Sequence, residues 1–102
     1  MDVVRRKQLT QRAVIDLEEV VLDVLHEARQ DNGGLQPVEI GKLIGIPLSS
    51  QRLPHIAAPI VRGILARLEW RGLVRQKESY GPWELTNKGI ETQLSKYDAN
   101  VR

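Results

Sequence analysis

The sequence predicts an α+β fold that is mainly α, with a three-helix core, a small sheet of two or three strands and a C-terminal helix. Three observations predict it. Ala13, Val14, Leu17, Val20, Val21, Val24, Leu25 and Ala28 recur at spacings of three and four, which lays them along one face of a long helix. Ile60, Val61, Ile64, Leu65 and Leu68 repeat that pattern further on. Past Gly72 the pattern changes to two short apolar runs, Leu73-Val74 and Trp83-Glu84-Leu85, with the turn Ser79-Tyr80-Gly81-Pro82 between them, and this reads as a hairpin.

Composition narrows the class. At 102 residues one domain, 1–102, is the default, and a chain of that size can sustain its own core. There is no cysteine, so disulfides and thiolate metal sites are excluded. No apolar run approaches the ~20 residues of a membrane span. The N-terminal stretch MDVVRRKQLTQR lacks the apolar centre of a signal peptide. A soluble, cytoplasmic protein with no membrane contact is expected. The net charge is +2, but residues 52–77 carry +5, with Arg52, Arg62, Arg67, Arg71, Arg75 and Lys77 against Glu69 alone. Residues 1–31 carry −2.

Taken in order, residues 1–9 read as a flexible basic arm containing Arg5, Arg6 and Lys7. Helix one is expected at 10–31, with Thr10 as its N-cap and Asn32-Gly33-Gly34 ending it. Ile15 and Leu22 lie seven apart and off the main stripe. They read either as a dimer seam or as a thickening of the core contact. Glu18-Glu19 reads as a solvated helix face. Pro37 suits the first position of helix two, expected at 37–45 with Val38, Ile40, Leu43 and Ile44 apolar. Gly41 costs about 1 kcal/mol there relative to alanine, so close packing should compensate. Residues 46–55 form a long connection in which Pro47 and Pro54 disfavour a regular helix. Helix three is expected at 56–71, tolerating Pro59 only because it falls in the first turn. The hairpin spans 73–85, with its first strand carried outward to Glu78. Thr86 caps helix four, expected at 87–98 with Ile90, Leu94 and Tyr97 as its stripe and Gly89 packed closely on the hairpin.

Two stretches carry a family resemblance. Arg67 to Val74 (RLEWRGLV) is similar to the exit from the recognition helix in many bacterial winged-helix regulators. Trp83 to Gly89 (WELTNKG) is similar to the step from wing to final helix in the MarR- and PadR-like groups. Helix, hairpin and helix in this order over residues 56–86 resemble the second half of a winged helix-turn-helix domain. The resemblance implies a short third strand near Leu35-Gln36, a recognition-type helix at 56–71, a wing at 73–85, homodimerisation, and a role in transcription regulation on double-stranded DNA. Arg62 is then the groove residue. Arg52, Arg67, Arg71, Arg75 and Lys77 meet phosphates, His55 sits at the entry to helix three, and Tyr80 stands at the wing tip.

The sequence departs from a regulator in one respect. Base edges demand matched donors and acceptors, and Pro59, Gly63 and Ala66 supply none on the outer face of helix three. The Pro59–Gly63–Ala66–Trp70 face fits a protein partner in a larger assembly as the alternative. No enzyme is expected. His26 and His55 are far apart in the chain, and no nucleophile elbow, phosphate loop or dinucleotide fingerprint is present. No catalytic residue, metal or cofactor is assigned.

Overall fold

A computed structural model describes residues 2–31, 34–45 and 57–101. The architecture is mainly helical with a two-stranded antiparallel sheet. Its elements are α1 (Val3–Asp31), α2 (Pro37–Leu43), α3 (Ala57–Trp70), β1 (Val74–Gln76), β2 (Trp83–Leu85) and α4 (Asn87–Val101).

α1 begins seven residues earlier than the apolar pattern predicts, so residues 3–9 are helix and not a flexible arm. The reason is Asp2. Its Oδ1 accepts from the Arg5 N–H at 2.7 Å and its carbonyl accepts from the Arg6 N–H at 3.1 Å. A carboxylate at this position satisfies an orphan donor and complements the helix dipole. Thr10 is therefore interior, its hydroxyl donating back to the Arg6 carbonyl at 3.0 Å. The expected end of α1 at Asn32-Gly33 lies outside the described residues.

α2 starts at Pro37. The Glu39 carboxylate accepts from the Gln36 N–H at 3.1 Å, which is half of a capping box. Its inner face is Pro37, Ile40 and the buried Gly41, while Val38 and Leu43 are exposed, against expectation. The helix stops at Leu43 and Gly45 follows in the left-handed region. α3 buries Val61, Ile64, Leu65 and Leu68 against Val21, Leu22 and Leu25 of α1 and Ile40 of α2. Ile60, expected in the stripe, is partly exposed.

α3 ends in a Schellman motif. Leu73 N–H donates to the Leu68 carbonyl at 3.0 Å and Gly72 N–H to the Glu69 carbonyl at 2.9 Å, with Gly72 at φ +78°. Val74, Arg75 and Gln76 then pair with Leu85, Glu84 and Trp83. β1 is shorter than predicted. At Lys77 the N–H donates to the Pro82 carbonyl at 3.1 Å, and residues 77–82 close as a turn with Tyr80 at φ +64°. On its other edge β2 bonds Leu35 through both Trp83 backbone groups, at 2.9 and 2.8 Å, so the third strand is a single bridging residue.

Thr86 caps α4 as predicted. Its hydroxyl accepts from the Gly89 N–H at 3.1 Å and donates to the Gly72 carbonyl at 2.6 Å. Its own N–H donates to the Leu73 carbonyl at 3.0 Å. A Cβ built on Gly89 would lie far inside van der Waals contact distance of that same Leu73 carbonyl oxygen, so only glycine fits without a backbone shift. The inner face of α4 is Gly89, Ile90 and Gln93, and Leu94 is half exposed. Of the predicted stripe Ile90, Leu94 and Tyr97, the Tyr97 side chain lies outside the described residues, and the rest is rotated by one residue, because the Gly89 contact sets the helix's roll. The helix also runs past residue 98, to Val101.

Gly63 and Gly89 make opposite predictions. Gly89→Ala should destabilise the protein by at least about 2 kcal/mol, since the backbone must move to admit a methyl group. Gly63 lies on the outer face of α3, and a Cβ added there would meet nothing within 4 Å. Gly63→Ala should stabilise by about 0.5–1 kcal/mol. Chemical denaturation of both variants beside the parent chain checks the pair.

Candidate nucleic-acid interface

α3 turns one face into the core and leaves Pro59, Arg62, Gly63, Ala66, Glu69 and Trp70 outside. The hairpin leans beside that face. Between them runs an open cleft of about 600 Å³, with Arg62 and Ala66 of α3 on one wall and Gln76, Ser79, Tyr80 and Trp83 of the hairpin on the other. Gln36 and Pro37 close its end. The Gln76 amide is fixed by donation to the Gly81 carbonyl at 2.9 Å, and the Gln36 amide donates to the Tyr80 carbonyl at 3.4 Å. Arg62 is exposed and has no hydrogen-bond or ion-pair partner among the described residues. Tyr80 stands at the tip, 94% exposed. Trp83 is half buried and packs on the core at the base of the hairpin, as its place in β2 predicts.

The other predicted cations among the described residues are paired. Arg67 Nε donates to Glu18 Oε1 at 3.1 Å and Arg71 Nη1 donates to Glu18 Oε2. Glu18 is buried, so the expectation that it lies on a solvated face is corrected. The two arginines clamp α3 to α1 and cannot be read simply as phosphate ligands. The signal was in the sequence. Glu18 stands four residues after Val14 and seven before Leu25, inside the apolar stripe, where an acid is buried only with partners. Both arginines keep outward surface, at 61% and 54% side-chain exposure, so their remaining N–H groups still face solvent.

Arg75 and Lys77 share Glu84 in the same way. Arg75 Nε donates to Glu84 Oε1 at 2.8 Å and Lys77 Nζ lies 3.6 Å from Oε2. The pairing of Arg75 with Glu84 across the sheet register brings these charges together. Each cluster, Arg67–Arg71–Glu18 and Arg75–Lys77–Glu84, therefore presents a net charge of +1 and not +2. Arg52 and His55 lie outside the described residues.

Leu22 is buried beside Val21 and Leu25, so it belongs to the core. A dimer seam through Ile15 and Leu22 is excluded on that ground, although Ile15 is exposed. Trp70 is 90% exposed and, with Ala66, Arg67 and Arg71, borders a shallow hollow that adjoins the cleft at Ala66. Among the described residues no group of three or more His, Asp or Glu is placed to hold a metal ion, and no helix is long and apolar enough to cross a membrane.

No family model matches the chain, and no match was found among curated proteins or solved structures.

The two ion-pair clusters should differ in what they contribute. Glu18→Gln removes a buried acceptor of two charged donors and should cost about 1–2 kcal/mol. Lys77→Ala removes one side of a long, solvent-washed ion pair and should change stability by less than about 0.5 kcal/mol. Urea unfolding of the two variants measures both, and equal costs would contradict the assigned burial.

Proposed function

We propose that the chain is a winged helix-turn-helix DNA-binding protein, a cytoplasmic regulator of transcription that meets duplex DNA with the outer face of α3 and the turn of the hairpin. The observation that carries this reading is Arg62, an unpaired guanidinium at the wall of a cleft between a helix and a hairpin. A planar fork of donors in that position suits a phosphate or a guanine edge. Tyr80 at the hairpin tip and the amides of Gln36 and Gln76 add polar contacts along the same cleft. The outward N–H groups of Arg67, Arg71, Arg75 and Lys77 supply a weaker positive field, reduced by Glu18 and Glu84 but not cancelled.

This arrangement favours backbone contact over base reading. Pro59, Gly63 and Ala66 leave the outer surface of α3 smooth between Arg62, Glu69 and Trp70 and offer no side-chain donor or acceptor of their own. Binding should therefore be strongly salt-dependent and only modestly selective among sequences.

Trp70 favours a second reading. A tryptophan 90% exposed beside Ala66 is a residue type that anchors protein interfaces, and it fits a winged-helix module that docks a protein within a larger assembly.

A fluorescence-anisotropy titration of a mixed-sequence duplex, from low to physiological salt, tests the first reading. We expect micromolar affinity at low salt, with a log–log slope of about −0.9 per phosphate contacted. Arg62→Ala should weaken binding to all duplexes and flatten the slope by about one contact. Trp70→Ala should leave both unchanged. No binding at low salt would overturn the DNA reading and leave the Trp70 face as the functional surface.

A further inference from the structure

We propose that the outer face of α3 takes an unpaired DNA strand, with Trp70 as the platform on which one base stacks and Arg67 and Arg71 as the cations beside it. This rests on the reading of that face as a DNA surface and adds a second form of DNA to it. Pro59, Gly63, Ala66 and Trp70 follow one another at four, three and four residues, so they form one row along the outermost line of α3, and all four are exposed. The turn of the helix puts Arg62 on one side of the row and Arg67 and Arg71 on the other, all three exposed. The three small residues leave the floor of the row open, and a Cβ added at Gly63 would meet nothing within 4 Å. From Arg62 to Trp70 the helix rises about 12 Å, the length of three or four stacked nucleotides at about 3.4 Å each.

The surroundings of Trp70 decide its occupant. The hollow it borders with Ala66, Arg67 and Arg71 is open and about 450 Å³ in volume. Among the described residues no other large apolar side chain borders it, and the next exposed one on α3, Ile60, lies ten residues and about 15 Å along the helix. A tryptophan that anchors a protein sits within a close-packed ring of contacts that excludes water. Here the ring is one methyl group and two guanidiniums. A ligand that is both flat and anionic suits all of them at once, its base covering the indole and its phosphates meeting the guanidiniums. Glu18 holds Arg67 by its Nε and Arg71 by its Nη1, so their remaining N–H groups are fixed beside the indole before a ligand arrives.

A duplex leaves this platform idle. Its bases show their faces only to each other, so an indole on the outside can stack only on a base that has left the pair. The cations along the row are few, since Glu69 stands exposed on the Arg62 side and Glu18 offsets one charge of the arginine pair. Stacking on Trp70 therefore carries more of the strand's binding than phosphate contact does. The strand should accordingly bind with a shallower salt slope than the duplex.

Fluorescence anisotropy on the full chain tests this with three labelled probes, a thymidine strand of about 12 nucleotides, an abasic strand of the same length and the mixed-sequence duplex. The parent should bind the thymidine strand at low salt. It should bind the abasic strand, which keeps the phosphates and offers no base, at least about tenfold more weakly. Trp70→Ala should weaken the thymidine strand at least about tenfold and leave the abasic strand unchanged. Trp70→Phe, which keeps an aromatic face, should recover most of that loss. The side chain is exposed, so neither substitution disturbs the core. A thymidine strand that does not bind overturns the proposal, and so does a Trp70→Ala chain that holds it as tightly as the parent. If the duplex still binds in either case, the DNA reading of Arg62 stands and the indole is left to a protein partner. An equal loss on the thymidine and abasic strands also overturns it, since the indole then acts on the arginines and not on a base. Strand binding that depends on Trp70 without any duplex binding supports it and overturns the duplex reading alone.

Discussion

The close approach of α4 to the end of α3 is the constraint on which the second half of the chain depends. Gly89 leaves no room for a side chain against the Leu73 carbonyl. Around it the carbonyls at the α3 corner, which a helix C-terminus leaves without partners, are taken up from α4. Lys88 Nζ donates to the Arg71 carbonyl at 3.0 Å, the Thr86 hydroxyl to Gly72 and the Thr86 N–H to Leu73. One junction thus ends α3, sets the exit of β2 and rolls α4 so that Gln93 and not Leu94 faces inward. The same junction anchors the base of the hairpin, at Leu73 and Leu85, beside the end of α3.

Charge is the second organising influence, and it works against a simple count. Six cations between residues 52 and 77 suggest a strongly positive face. Folding commits two of them to Glu18 and ties two more to Glu84. A buried carboxylate demands partners because an unpaired one would be too costly to desolvate, and α3 is the element close enough to supply them. The Arg67 and Arg71 pair therefore serves the fold first, and what remains for a polyanion is their outward N–H groups. Among the described residues that leaves Arg62 as the distinctive cation of the face, because none of them competes for its donors.

The sequence made the element order legible because each boundary had a local chemical cause. Pro37 opened α2, Gly72 closed α3, Thr86 capped α4, and the alternating run through Trp83 marked β2. Features that depend on contacts across the fold were not legible in the same way. The start of α1 was missed because its cap, Asp2, precedes any apolar periodicity. The roll of α4 was missed because it is set by a backbone contact with Leu73, not by its own apolar residues. Among the candidate site residues, Arg62 and Tyr80 stand exposed where their positions in helix and turn place them. Arg67, Arg71, Arg75 and Lys77 were read from charge alone, and charge alone does not show which acids lie across the fold. Glu18 was the exception, since its place within an apolar stripe was a signal that burial would force a partner on it.

Among the described residues, α1 and α3 turn different faces to solvent. α1 buries Val21 and Leu25 and turns Leu9, Arg12 and Asp16 outward, while α3 buries Val61, Leu65 and Leu68 and turns Arg62 and Trp70 outward. The two helices pack through their buried faces, so their outer faces look in opposite directions from one core. The Glu18 clamp ties α3 to α1 across that core, so the side of α3 that carries Arg67 and Arg71 is committed to the fold and the side that carries Arg62 is not.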